Sequence, residues 1–195
     1  MRTLIPLPTQ EKPAKATAAI LVPLCRVNGI PSLLYTMPSN SMRLNTGYIS
    51  FPGGKCDPRE TAIQTALRET REALGIVPDK INIWGQGPPI PSRTNEYMIN
   101  PVIGVIPELK SSDMNINIDK VAEAFTVPIQ VFCNPQNQYY TQYSNGLLLP
   151  VFIADEYKIC GITAYVTHAF LTCTLSKDVY HNEWLKQKID LHTSS

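Results

Sequence analysis

The chain has 195 residues, 44% of them hydrophobic, which is enough to bury a core of domain size. Its 17 lysines and arginines balance 16 aspartates and glutamates, so no global field draws it to nucleic acid or to an acidic membrane, and an anionic ligand must be held by local groups. Five scattered cysteines (Cys25, Cys56, Cys133, Cys160, Cys173), with no C-x-x-C pair, argue against a disulfide framework and for reduced thiols in an intracellular compartment.

In chain order, residues 1–16 are rich in proline (Pro6, Pro8, Pro13) and read better as a flexible segment than as the remnant of an organelle-targeting peptide. The apolar run Ala18–Cys25 is interrupted by Pro23 and falls far short of the roughly 20 residues a bilayer span requires. The stretch TAAILVPLCRVNGIPSLLYTM predicts two β segments joined at Asn28-Gly29. NSMRLNTGYISFPGG follows as irregular backbone rich in turn formers. Thr61–Leu74 is the clearest helix, with Ile63, Ala66, Leu67, Thr70 and Leu74 on one face and Gly75 suited to its C-terminal cap. INIWGQ and INPVIGVIPE are strand-like, and IDKVAEAFTVPI is a short amphipathic segment stopped near Pro128. QYYTQYS, LLLPVFIADEYKICGI and a helical TAYVTHAFLTCTL complete one domain over 17–178, with 179–195 left as a solvated tail. This order predicts an α/β fold, a mixed sheet covered on both faces.

The chemistry concentrates in GGKCDPRETAIQTALRETREALGI, Gly53 to Ile76. Gly53 and Gly54 let the backbone turn sharply and approach a ligand. At about 100° per residue, Glu69 and Glu72 lie roughly 60° apart on the helix surface, with position 73 about 40° to the other side of Glu69. Like charges so placed repel unless a cation sits between them, and hard oxygen ligands with open positions suit Mg²⁺ or Mn²⁺. A solvated helix laced with Arg68 and Arg71 would carry similar charges. What argues against it is the fixed spacing from Gly54 through Glu60, Arg68-Glu69 and Glu72 to Gly75.

Those residues resemble the Nudix box of the Nudix hydrolases, G-x5-E-x7-R-E-U-x-E-E-x-G-U with U apolar. Gly54, Glu60, Arg68, Glu69, Glu72, Gly75 and Ile76 match; Thr70 is a mild departure and Ala73 a serious one. The resemblance implies an α/β/α sandwich with a mixed central β-sheet and cleavage of a diphosphate by metal-activated water. Glu69, Glu72, the residue at 73 and the carbonyl of Gly53 would hold Mg²⁺ or Mn²⁺. Arg68 would orient the glutamates and Glu60 would support the loop. The preceding LLYTMPSNSMRLNTGYISFPGGKCDP is similar to the signature of the coenzyme A diphosphatase branch, matching at Thr36, Ser39, Arg43, Gly47, Phe51, Pro52, Gly53 and Gly54, with Met37-Pro38 in place of a basic pair. That branch implies coenzyme A or a derivative as ligand, 3′,5′-ADP and 4′-phosphopantetheine as products, and a mitochondrial location as in animal members.

Arg43, Lys55 and Gly54 are the candidate substrate contacts, because arginine matches phosphate bidentately and lysine serves as a point charge. Glu96 and Glu123 are further carboxylates that could approach the metals, and Asp119-Lys120 sets a lysine among these acids. GGKC lacks the spacing of a P-loop, the three histidines have no G-x-S-x-G partner, and no basic patch accompanies the aromatics. Nucleic acid and membrane are therefore not expected partners. Alanine at position 73 borders the core face near Ala66 and packs there without strain. It leaves two accounts open: a coenzyme A hydrolase with one changed ligand position, or a catalytically silent protein that binds coenzyme A or a nucleotide.

Overall fold

The computed structural model describes residues 16–39, 49–92 and 96–191. They divide into two compact units, one ending at Pro128 and the other beginning at Ile129. The expected N-terminal segment 1–16 lies almost entirely outside the described residues.

The first unit contains β1 (Ala16–Val27), β2 (Ile30–Pro38), β3 (Gly53–Lys55), α1 (Ala62–Leu74), β4 (Asn82–Gln86), β5 (Ile90–Pro91), β6 (Tyr97–Ile106) and β7 (Val121–Pro128). Among the described residues these strands make one sheet in the order β4-β6-β1-β2-β7, with β3 also on β1 and β5 on β6. β1 and β6 run parallel and the other pairs antiparallel, so the sheet is mixed, as expected. Asn28 (φ 51°) and Gly29 (φ 81°) both adopt the left-handed backbone that a tight two-residue hairpin turn demands.

β1 forks. Along one edge it pairs with β6 from Ala16 to Cys25; along the other it pairs with β3 over Ala18–Ile20 and with β2 over Leu24–Val27. Pro23, which has no N–H to donate, falls in the gap between those two partners. The fork matters because it brings the diglycine segment into the sheet, directly ahead of α1.

α1 lies on this sheet. Ala66, Ala73 and Leu74 pack with Ala19, Leu21 and Cys25 of β1, Leu34 of β2, and Val102 and Ile106 of β6. Ala66, Thr70 and Ala73, at i, i+4 and i+7, form the centre of the buried stripe, while Ile63 and Leu67 are only partly buried against it. Thr70 hides its hydroxyl by donating to the Ala66 carbonyl at 2.7 Å. The amphipathic segment before Pro128 is the edge strand β7, paired with β2 from Ser32 to Pro38; its β-branched and aromatic residues Val121, Phe125, Thr126 and Val127 favour the strand.

The second unit comprises α2 (Ile129–Cys133), β8 (Gln138–Gln142), β9 (Leu148–Ala154), β10 (Tyr157–Ile159) and α3 (Gly161–Thr174), with the three strands antiparallel in the order β10-β9-β8. Phe132 and Phe152 meet edge to face at 5.3 Å in its interior. The expectation of a solvated tail from 179 is corrected here. Tyr180 and Trp184 are buried, Tyr140 bridges to Lys188, and the wholly buried Gln138 accepts the Glu183 N–H at 2.8 Å while donating to the Phe132 carbonyl at 2.8 Å. Burial of the two large aromatic rings is what draws the segment onto the unit.

All five cysteines are free thiols. No helix among the described residues is long and apolar enough to cross a membrane. Gly75 closes α1 at φ 72°, and a methyl group there would meet Asn115 Cβ at 2.8 Å. Gly29 has the same backbone hand with open space around it. Gly29→Ala is therefore expected to cost roughly 1 kcal/mol, from the backbone alone, and Gly75→Ala distinctly more, roughly 2 kcal/mol, in urea unfolding.

Candidate active site

The site starts at the sheet fork. A Cβ on Gly53 would stand 2.3 Å from the Ala19 carbonyl oxygen, and one on Gly54 would stand 2.5 Å from the Glu69 carboxyl. Close approach requires glycine at both positions, and at Gly54 the group approached is a proposed metal ligand. Gly53 is held in β3 opposite Ile20.

α1 begins with a reciprocal cap. The Gln64 N–H donates to Thr61 Oγ1 at 3.2 Å and the Thr61 N–H donates to Gln64 Oε1 at 2.9 Å. The signal Thr61-x-x-Gln64 is readable in the sequence and agrees with the helical periodicity that follows it. With the start fixed, Arg68, Glu69 and Glu72 leave the helix on one side.

Arg68 organises the carboxylates. Its Nε and Nη2 donate to the two oxygens of Glu60 at 2.7 and 2.9 Å, a bidentate fork. Its Nη1 donates to Glu69 Oε1 at 2.8 Å and to Glu72 Oε1 at 3.2 Å, and Nη2 also reaches the Lys55 carbonyl at 3.2 Å. Thr65 Oγ1 adds a 2.8 Å bond to Glu60. The guanidinium, and after it the Thr65 hydroxyl, hold Glu60 down to about 2 from an ordinary value of 4.5. The surrounding carboxylates in turn keep Arg68 firmly protonated.

The remaining oxygens of Glu69 and Glu72 converge on one cation. Lys120, just ahead of β7, places Nζ 2.5 Å from Glu72 Oε2 and 3.3 Å from Glu69 Oε2. The ammonium first, then Arg68, holds the Glu72 carboxyl below its usual range. The donor set suits a hard divalent ion, because Mg²⁺ is commonly held by one or two carboxylates with water and substrate phosphate completing its shell. Among the described residues no group of three or more His, Cys, Asp or Glu side chains is placed to hold a metal.

Ala73 packs beside Ala66 as expected, and more deeply than at a border of the core: it is only 7% exposed and lies inside the core cluster, and its carbonyl accepts the Asn117 N–H at 2.9 Å. Its place in the Ala66–Thr70 stripe outweighs its angular nearness to Glu69. Lys55 is exposed, with Nζ 5.2 Å from the centre of the Tyr97 ring, and Tyr97 followed by Glu96 raises its pKa. Arg43 and Gly47 lie outside the described residues. Glu96 is placed beside Lys55 through that charge interaction, and Glu123 sits in β7 opposite Met37.

The NUDIX domain model matches residues 15–140. The chain belongs to the Nudix family. It is 39% identical over 158 residues to the human mitochondrial coenzyme A diphosphatase NUDT8, covering 78% of this chain and 66% of that protein. The mouse mitochondrial coenzyme A diphosphatase NUDT8 is 39% identical over 162 residues, covering 80% of this chain and 77% of its own. The mouse peroxisomal coenzyme A diphosphatase NUDT7 is 34% identical over 141 residues, covering 72% of this chain and 58% of its own. The Nudix match takes in the whole loop–helix–loop built around Arg68.

Two consequences can be measured. Because the folded-state pKa of Glu60 is depressed, its contribution to stability is full above about 4.5 and is lost as pH falls toward about 2. Glu60→Gln should melt below the parent at pH 7, with the gap closing across that window. Ala73→Glu places a carboxylate in an apolar cluster, and urea unfolding should show a loss of roughly 2–4 kcal/mol.

Proposed function

We propose that this Nudix chain is a metal-dependent hydrolase that splits the diphosphate of coenzyme A or a derivative into 3′,5′-ADP and 4′-phosphopantetheine. The observation that carries the reading is the convergence of Glu69 and Glu72 on a single cation position, with Arg68 and Glu60 fixing both carboxylates from behind. The substrate class rests on the similarity to coenzyme A diphosphatases and on the signature preceding the box, in which Arg43 and Lys55 are the proposed phosphate contacts. The two NUDT8 relatives, both named as mitochondrial, support a mitochondrial location.

Glu69 and Glu72 would hold Mg²⁺ or Mn²⁺, with the Gly53 carbonyl as a further proposed ligand. The bound ion would supply charge neutralisation at a diphosphate and activation of water near neutral pH. Arg68 keeps both glutamates aimed, since its Nη1 takes the oxygens that face away from the cation position. Glu60 holds the guanidinium plane in place, and Gly54 leaves room for the Glu69 carboxylate against the loop. Lys55 offers an exposed ammonium close to the same loop.

One specific arrangement favours a second reading, a silent coenzyme A-binding protein: the cation position is taken by Lys120 and the third ligand position of the box is a buried alanine. Chromatographic detection of 3′,5′-ADP from coenzyme A with Mg²⁺ or Mn²⁺ decides between the two. On the hydrolase reading the parent releases both products, and Glu69→Gln lowers the rate by about 10²-fold or more while coenzyme A still binds. Binding of coenzyme A by calorimetry without product in any metal selects the silent reading, and tighter binding of ADP-ribose than of coenzyme A overturns the substrate assignment.

A further inference from the structure

Lys120 closes a four-cornered charge arrangement. Glu69 and Glu72 each give Oε1 to Arg68 and Oε2 to Lys120, so each carboxylate bridges the two cations. The two cations are not equivalent. Arg68 is locked by its fork to Glu60 and by the Lys55 carbonyl, whereas the Lys120 side chain is 39% exposed on a flexible stem.

The backbone beneath Lys120 is well fixed. Asn115 and Asn117 donate their N–H groups to the Leu74 and Ala73 carbonyls at the end of α1, at 2.8 and 2.9 Å. The Lys120 N–H returns to the Asn117 carbonyl at 3.0 Å. On the other side, Ser39 Oγ donates to the Asp119 carbonyl at 2.6 Å and the Ser39 N–H donates to the Lys120 carbonyl at 3.1 Å. The turn is thus pinned to both α1 and the end of β2, and only the side chain has freedom to lose when it binds.

We infer that Lys120 is a tethered competitor for the metal seat: its ammonium holds Glu69 and Glu72 in register, and a divalent ion enters only by displacing it. The inference rests on the hydrolase reading for its biological meaning, but not for its test. The displaced ammonium swings into solvent on its own stem, no covalent bond changes, and the Arg68 corner stays in place. With Lys120 seated, four carboxylates (Asp57, Glu60, Glu69 and Glu72) face two cations; with it withdrawn, four face one, and the seat attracts a divalent ion more strongly.

Mn²⁺ titration followed by the free-ion electron paramagnetic resonance signal, without nucleotide or coenzyme A, tests this directly. Lys120→Met keeps the apolar stem and removes the charge, and it should bind Mn²⁺ about tenfold tighter or better than the parent. Lys120→Arg keeps a cation and should stay within about threefold of the parent. Mn²⁺ should also raise the melting temperature of Lys120→Met by more than it raises that of the parent, and Lys120→Gln gives the same comparison should the methionine variant fold poorly. Equal or weaker Mn²⁺ binding by folded Lys120→Met and Lys120→Gln overturns the inference and leaves the hydrolase reading standing. Absence of Mn²⁺ binding in the parent and all three variants overturns both.

Discussion

The bidentate pair between Arg68 and Glu60 is the constraint on which the rest of the site depends. Glu60 from the loop ahead of α1 and Glu69 and Glu72 from its second half would repel one another and drift apart. A single planar guanidinium, held by Glu60 and by a backbone carbonyl of the glycine loop, offers its remaining N–H groups to the other two. Lysine could not do this, because an ammonium has no fixed fork and cannot satisfy a carboxylate bidentately while pointing at two more. The loop, the helix and the acidic face are therefore one mechanical unit, and the sheet fork at Pro23 delivers the loop to it.

Much of this was legible in the chain. The Asn28-Gly29 hairpin, α1 with its Gly75 terminus, and the spacing of Gly54, Glu60, Arg68, Glu69 and Glu72 are local features, set by turn geometry and helix period, and local features survive folding. Position 73 was legible in part. It lies about 40° from Glu69, but also only about 20° from Ala66 on the helix wheel, and the core claimed it. The burial of Tyr180 and Trp184 is masked in the sequence because the segment is charged and short, although two aromatics within five residues are a visible signal. The position of Lys120 was not readable beyond its presence among acids. It depends on where an edge strand begins, which tertiary pairing decides.

Ala73 and Lys120 belong to the same structural choice. The turn that presents Lys120 donates to the Ala73 and Leu74 carbonyls and so lies close against the end of α1. A small buried residue at 73 lets core packing continue beneath that turn, where a longer charged side chain would need to reach past it. The added ammonium makes the seat less negative, and the buried Ala73 returns no charge to it.

That shift bears on when a cation is needed. Repulsion between Glu69 and Glu72 can be relieved by a free ion, which must be drawn from solution, or by a side chain already held nearby, which gives up only rotamer freedom. The tethered solution serves the ligand-free protein well. It serves a bound diphosphate poorly, because one ammonium shared between two carboxylates has little positive charge left for phosphate oxygens, whereas a divalent ion can be shared by both. On the inference drawn above, an incoming diphosphate changes the balance by adding negative charge at the seat's open side, and substrate and divalent ion then favour each other's binding, as linkage requires when each is the other's counter-charge.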